Sequence, residues 1–216
     1  VFVGHLLLHH PAVRVMLEEV KSGRLGDVWH VRCRRLSLGK LRRHEDVLWS
    51  FAPHDISVVI AIMRSAPQSV TSSFSGFITP GIADRAYVSM NFSGGRTAHV
   101  EVSWFDPHKS SRIDVFGTAG VLTFDDVPGK PSLHFTPTGV VPNQYGDPTP
   151  WSDETVELPV PPGEPLRLEL EAFIESIQTG VRPITDAHQG IDVLRVLSMA
   201  TGTGQREHLA KQEVPA

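Results

Sequence analysis

The sequence predicts an α+β domain in which a large, mostly antiparallel, open β-sheet has helices packed on one of its faces. Two observations support this prediction. Residues 69–126 alternate apolar and polar side chains with a period of two, which is typical of strands that bury one face. Segments with apolar residues at helical spacing precede and follow that region. The helices therefore have a single sheet to cover.

The first part of the chain predicts a strand, a helix and a second strand. Residues 1–8 are mostly apolar and favour a buried strand. Pro11 then begins an amphipathic helix, since proline is well tolerated in a first helical turn, and Gly23 is its expected left-handed cap. The apolar stripe of this helix comprises Val13, Met16, Leu17 and Val20. A strand follows at Val28–Leu38.

The middle of the chain predicts a buried helix and then a meander. A charged loop, residues 40–46, precedes a helix expected from about His54 to Met63, which is buried because it is apolar on most sides. Short turns at Gly94-Gly95 and at residues 117–120 predict antiparallel neighbours. Residues 128–162 are rich in proline and glycine, and predict a long loop with two short edge strands around Leu133 and Val156.

Two helices are expected near the end of the chain, at residues 165–179 and 188–201. Their apolar stripes are predicted to face the core. The stripes comprise Leu168, Leu170, Phe173, Ile174 and Ile177 in the first helix, and Ile191, Leu194, Leu197 and Met199 in the second. From Gly202 the chain is polar and is expected to fray. The predicted organisation is therefore a first segment at 1–8, an α+β domain at 9–205 and a polar tail at 206–216.

Composition and charge exclude several classes of function. A net charge of −4 gives no basic footprint for nucleic acid, and no run of 18 apolar residues predicts a membrane span. Cys33 is the single cysteine, which excludes an intramolecular disulfide and favours a reducing, cytoplasmic location. Its place in an alternating strand predicts a small buried hydrophobe and not a nucleophile.

The face of the sheet opposite the helices is predicted to be polar. It carries Ser89, Asn91, His99, Glu101 and Ser103. Such a face is either solvated or a surface for a partner, and we expect a homo-oligomer that forms through it.

The residues richest in chemistry lie between Arg35 and Asp55. Arg35, Arg42 and Arg43 carry guanidinium groups that bind phosphate or carboxylate in pairs of hydrogen bonds. His54 is expected at a helix N-terminus, whose dipole favours the same anion, and its pKa near neutrality suits a general acid or base. Trp49 and Asp55 complete this candidate substrate site.

A structural role is the alternative for each of these residues. Arg42 and Arg43 fit a salt-bridged surface loop equally well, and Trp49 fits the core. Asp55 and His54 fit a first helical turn and a helix cap. His5, His9 and His10 do not predict a metal site, because Pro11 interrupts them and no carboxylate joins them. His10 remains a candidate substrate contact.

Several runs of residues resemble the Gfo/Idh/MocA family of oxidoreductases. They are Arg35-Leu36-Ser37-Leu38-Gly39, Leu48-Trp49-Ser50-Phe51-Ala52-Pro53-His54-Asp55-Ile56, Val3-Gly4-His5-Leu6-Leu7 with His10-Pro11-Ala12, residues 102–109 and residues 116–120. The resemblance is greatest to the branch acting on nucleotide-linked N-acetylglucosamine and its uronate. It implies hydride transfer between a sugar carbon and NAD or NADP, with a hydroxyl proton handled by His54. It also implies that Lys109 lies near the substrate, and that Ser50 stands where many members have an aspartate.

The resemblance further implies that residues 1–8 are the last strand of a dinucleotide-binding domain that this sequence lacks. No Gly-x-Gly-x-x-Gly follows a strand, and the family's Glu-Lys-Pro motif is absent from the sequence. We therefore expect the substrate-binding domain of an NAD(P)-dependent sugar oxidoreductase, inactive by itself. The alternatives are an inactive binding or oligomerisation module, or a piece of an ordinary enzyme.

Overall fold

A computed structural model describes residues 1–39, 41–126 and 131–209, and it confirms the predicted fold class. The helices are α1 (Pro11–Lys21), α2 (Val47–Met63), α3 (Pro165–Thr179) and α4 (Ala187–Thr203). The strands are β1 (Val28–Leu38), β2 (Ser69–Gly76), β3 (Arg85–Asn91), β4 (Thr97–Ser103), β5 (Phe105–Gly117), β6 (Gly120–Asp125), β7 (Ser132–Pro142), β8 (Pro148–Ser152), β9 (Val156–Glu157) and β10 (Gln205–Leu209).

Within the described residues, ten strands form one open sheet in the order β10-β2-β3-β4-β1-β5-β6-β7-β8, and β9 pairs with β7. The β1–β4 and β10–β2 pairs are parallel, whereas the other pairs are antiparallel. Helices α2 and α4 contact the β1–β4 part of the sheet, and α1 contacts β6 and β7. The helices thus cover one face, as the sequence predicts, and α2 crosses the middle of it.

The predicted start of α2 is wrong by about seven residues. The helix begins at Val47, where the Asp46 carboxylate accepts a hydrogen bond from the Trp49 backbone N–H at 3.2 Å. Pro53 lies inside the helix, where it removes one backbone donor, but buried side chains on both sides of it hold the helix to the core. His54 therefore lies in the middle of α2, out of reach of the N-terminal partial charge that was expected to act there.

The predicted meander is interrupted between β4 and β5. Ser103 ends one strand and Phe105 begins the next, yet β1 lies between them in the sheet. The chain crosses the end of β1 at Trp104, whose carbonyl accepts a hydrogen bond from the Gly39 N–H at 2.9 Å. The Trp104 side chain is buried, and its indole N–H donates to the Asp84 carboxylate at 3.0 Å. A one-residue connection makes two strands antiparallel neighbours only when no third strand lies between them. Here β1 lies between β4 and β5.

The first eight residues do not form the predicted strand. Phe2 makes an isolated bridge to Asp186, and Leu6–His9 form a 3-10 turn. A strand needs a neighbour along its length, and no strand in the described part of the chain runs beside this segment. Leu7 and Leu8 lie in this turn, and their side chains are buried in the core.

Two regions predicted as irregular contain strands. In place of two short edge strands around Leu133 and Val156, the structure has the eleven-residue β7, then β8 and the two-residue β9. Residues 205–209, where the chain was expected to fray, form β10 beside β2. Lys40 in the charged loop and residues 210–216 of the predicted tail lie outside the described residues.

The apolar stripe of α3 is exposed, contrary to the prediction. Leu170, Phe173, Ile174 and Ile177 are 53%, 42%, 51% and 67% exposed. The helix packs on the 3-10 turn through an adjacent side that includes the buried Glu169 and the half-buried Leu168, and the Phe173 ring contacts that of Phe2 at 5.4 Å. On α4, Leu197 is buried as predicted, whereas Ile191, Leu194 and Met199 are exposed. Helical spacing identifies an apolar face but does not identify what covers it.

The sheet face away from the helices carries a network of paired charges. The register aligns Arg32 with Asp114 of β5, and the two side chains are 2.8 Å apart. Arg34 pairs with Glu101 of β4 at 3.3 Å. His99 on β4 is exposed, as the alternation predicts. In the described part of the chain, no helix is both long and apolar enough to cross a membrane.

Candidate active site

His54 projects from the middle of α2 and is only partly exposed. Its Nδ1 is buried and has no hydrogen-bond partner among the described residues. The Oγ of Ser50, one helical turn earlier, is buried and unpartnered in the same way. Burial lowers the pKa of His54, the Arg35 charge lowers it further, and the Asp55 charge opposes both. His54 is therefore a neutral imidazole at neutral pH, which is the form that accepts a proton.

Arg35 and Asp55 bind each other beside His54. The Arg35 Nε and Nη2 donate to the two carboxylate oxygens of Asp55 at 2.7 and 3.0 Å. Asp55 is 1% exposed, and the Arg35 side chain is 19% exposed. The predicted substrate contact by these two residues stays a prediction; in the structure each one binds the other with a pair of hydrogen bonds. The pair joins α2 to β1.

His5 is a neighbour of His54 that the sequence did not identify as part of the site. Its side chain is 7% exposed, and its Nε2 has no hydrogen-bond partner among the described residues. Burial, and secondarily the charge of His54, lower the pKa of His5 to about 4. Sequence reasoning considered His5 only as a metal ligand. The Val-Gly-His run was a signal for its place, but the approach of this segment to α2 is a tertiary contact.

Trp49 lies at the edge of an apolar cavity of about 360 Å³ between the N-terminal segment, α2 and α4. His5 and Pro53 line the same cavity, and Val193 and Leu197 line it from α4. The Trp49 side chain is 40% exposed, and its indole N–H donates to the Thr201 hydroxyl at 3.3 Å. Trp49 is therefore not in the core.

The remaining predicted site residues are dispersed. His10 is buried and caps α1, because its Nδ1 accepts a hydrogen bond from the Ala12 N–H at 3.1 Å. Arg42 forms an ion pair with Glu45 in an exposed loop, and Arg43 is exposed in that loop too.

Lys109 is exposed on β5, within the strand. In the same strand, the Asp106 carboxylate accepts a hydrogen bond from the His108 N–H at 2.9 Å. The structure thus brings Arg35, Asp55 and His54 together, and it does not bring Arg42, Arg43, His10 or Lys109 into a contact with them.

The described residues do not fit a dinucleotide or a metal ion. No described glycine-rich turn joins a strand to a helix in a βαβ unit, which is what cradles a dinucleotide pyrophosphate. Among the described residues, no group of three or more His, Cys, Asp or Glu side chains is placed to hold a metal. Cys33 is fully buried, and burial raises the pKa of its thiol well above the usual range, so it is not a nucleophile. His54 supplies a neutral imidazole, a group that is suited to proton transfer.

Comparisons with known proteins agree with this architecture. The family model of the GFO/IDH/MocA C-terminal domain matches residues 13–123. The solved structures that match include UDP-N-acetylglucosamine 3-dehydrogenase GnnA from Acidithiobacillus ferrooxidans, at 20% identity and a TM-score of 0.76 over 93% of this chain and 61% of that one. Aldose-aldose oxidoreductase from Caulobacter crescentus matches at 18% identity and a TM-score of 0.74, over 94% of this chain and 61% of that one.

A proposed NADPH-dependent oxidoreductase from Desulfitobacterium hafniense matches at 17% identity and a TM-score of 0.78, over 93% of this chain and 61% of that one. The chain thus spans about three fifths of the length of these structures. No curated protein matches it. These identities establish a shared fold, whereas the family match covers 111 of the 216 residues. The chain belongs to the Gfo/Idh/MocA oxidoreductase family, of which it contains the C-terminal domain.

Proposed function

We propose that this chain is the substrate-binding domain of an NAD(P)-dependent oxidoreductase that acts on a hydroxyl or ketone of a sugar or nucleotide sugar. The observation that supports it most is the state of His54, a partly buried imidazole with a lowered pKa beside a buried ion pair. A base that is neutral at neutral pH accepts a hydroxyl proton without first losing one of its own. Because the chain belongs to an oxidoreductase family, we assign this proton transfer to the oxidation of a hydroxyl.

In this proposal His54 holds the proton that leaves the sugar hydroxyl. Its Nδ1 is buried, so Nε2 is the atom that meets the substrate. During oxidation the O–H bond breaks and the proton moves to Nε2. The oxygen electron pair forms the carbonyl as the C–H bond of the same carbon breaks and its electron pair leaves as hydride. NAD or NADP, held by another domain, would accept that hydride when it is bound. Reduction reverses the proton transfer, with the imidazolium as acid.

The exposed apolar face of α3 and α4 supports a second domain in the proposal. Ile177 and Leu194 are 67% and 54% exposed, and their neighbours on both helices are exposed too. Exposed apolar helix faces of this kind are typical of an interface. The related structures have about two fifths of their length outside the match. We assign this face to a dinucleotide-binding domain, which brings the cofactor that the described residues do not hold.

The polar sheet face is the proposed surface for a homo-oligomer. Its arginines are already paired with carboxylates across the strands, so a second copy does not have to neutralise them. Trp29 and Tyr87, which are 51% and 42% exposed, supply the aromatic area that interfaces favour. A cytoplasmic location belongs to the same proposal, because Cys33 is unpaired and buried.

The proposed substrate class rests on two enzymes of similar structure, a UDP-N-acetylglucosamine 3-dehydrogenase and an aldose-aldose oxidoreductase. Calorimetric titration of this chain with UDP-N-acetylglucosamine, with an aldose, with NAD and with NADP tests it. We expect a sugar or nucleotide sugar to bind and both dinucleotides to fail. Tight binding of NAD or NADP contradicts the assignment. Binding of none of the four compounds favours the alternative, an inactive oligomerisation module with the same fold.

A further inference from the structure

We propose that Arg35 and Asp55 are positioning residues for His54: their ion pair fixes the turn of α2 that carries the imidazole against β1, and surrounds it with balanced charge. The inference deepens the proposed function and rests on it for its catalytic meaning. The sequence had suggested that both residues bind the substrate. Their geometry gives them a further task, which is carried out through His54.

The ion pair has the geometry of a fixed joint between two elements. Two parallel hydrogen bonds, at 2.7 and 3.0 Å, hold the planar guanidinium against the planar carboxylate. This fork arrangement fixes both distance and orientation, which a single contact does not. Arg35 belongs to β1, a strand in the middle of the sheet that is paired on both sides. Asp55 is next to His54 in α2, so its backbone position fixes that of the imidazole.

The joint lies next to a weak point of the helix. Pro53, two residues before Asp55, lacks the N–H that would bind the Trp49 carbonyl. The helix around His54 is thus held by one fewer backbone hydrogen bond than an ordinary turn. The Ser57 hydroxyl donates to the His54 carbonyl at 2.7 Å within the following turn. The ion pair ties this same turn to the sheet.

Stability does not explain why a buried ion pair occupies this place. Replacing both partners of a buried pair with apolar side chains is often neutral or stabilising, because desolvation offsets the attraction. Removing only one partner is costly, because it leaves a buried charge alone. A site that needs a defined imidazole position and a defined local charge has a reason to keep both partners.

The charges around His54 act in opposite directions. Arg35 faces it from β1 and lowers its pKa, whereas Asp55 on its own helix raises it. His5 on the N-terminal segment is the third titratable neighbour, and it is neutral at neutral pH. Removal of Arg35 alone therefore raises the His54 pKa, and removal of Asp55 alone lowers it. Removal of both returns the pKa toward that of the wild type.

Histidine ring resonances of this chain, followed by NMR across a pH titration, test the inference without cofactor or substrate. The variants are Arg35→Met, Asp55→Asn and the double variant, with Arg34→Met as the matched control, since Arg34 pairs with Glu101 on the opposite face. We expect pKa changes of opposite sign in the two single variants, near cancellation in the double variant and no change in the control. Shifts of the same sign, or none, overturn the inference.

If a single variant does not fold, the double variant still tests the inference, because it removes both charges and leaves no buried charge without a partner. Joined to a dinucleotide-binding domain, it is expected to lose kcat on the order of 10²-fold, with its pH profile little changed. An unchanged kcat overturns the positioning role. If instead the joined wild-type protein turns over no sugar while the signed titration pattern holds, the proposed function fails and the structural role of the pair stands.

Discussion

His5 gives the most quantitative prediction, because its side chain is almost completely buried and its pKa is far from the ordinary value. Folding lowers that pKa from 6.5 to about 4. A shift of this size corresponds to about 3 kcal/mol between the two protonation states, at roughly 1.4 kcal/mol per unit. Since the unfolded chain binds the proton more readily, this stability is fully present above pH 6.5. It is lost as the pH falls from 6.5 to about 4.

Urea unfolding of this chain at a series of pH values between these limits measures the effect. Other buried histidines contribute in the same direction, so the comparison is between the wild type and His5→Gln, which cannot take up the proton. We expect the free energy of unfolding of the wild type to fall by about 3 kcal/mol more than that of the variant over the same pH range. His188→Gln, at a side chain that is 79% exposed, is the control for the replacement of a histidine by glutamine as such. Equal slopes in the wild type and His5→Gln would refute the reasoning.

Two further predictions concern the exposed helix face and the crossing of β1. Replacing Leu170, Ile174 and Ile177 with glutamine should leave the unfolding free energy of this chain within about 1 kcal/mol of the wild type, since each side chain is at least half exposed. The same variant should weaken association with a dinucleotide-binding domain roughly 100-fold, because covering three half-buried side chains contributes about 3 kcal/mol. An unchanged affinity would show that the interface does not include this face of α3. Asp84→Asn should lower the unfolding free energy by about 3 kcal/mol, because a buried carboxylate that accepts from the Phe77 N–H, the Ile78 N–H and the Trp104 indole loses its charge. Chemical denaturation measures this effect, and a loss below about 1 kcal/mol would contradict it.

The elements of the fold that the sequence predicts well are those whose local signals agree. Val28–Leu38 and the helix at 165–179 were predicted to the residue, and the period of two located β3 and β4. Proline in the first turn and glycine after the last turn set the bounds of the helix at 165–179. The same rule failed at Pro53, because a proline inside a helix held by tertiary contacts looks in sequence like a helix start.

What the sequence did not predict depends on contacts that are distant in the chain. The insertion of β1 between β4 and β5 follows from pairing across more than 60 residues, and no local pattern encodes it. The apolar stripe of α3 was identified correctly, yet most of its side chains are exposed, because helical spacing does not specify what packs on a face. At the candidate site, the sequence predicts that His54 handles the proton and that Arg35 and Asp55 contact the substrate separately. Only the structure pairs them, because the pairing needs β1 and α2 in contact.

The turnover of a sugar by this chain joined to a dinucleotide-binding domain is the most direct test of His54 as the proton acceptor. The wild type and His54→Asn should be compared with UDP-N-acetylglucosamine and with an aldose, by the absorbance of the reduced nicotinamide, with circular dichroism to establish that both fold. Loss of a general base predicts a fall in kcat on the order of 10²- to 10⁴-fold in the variant. A variant that folds and turns over at the wild-type rate would contradict the account.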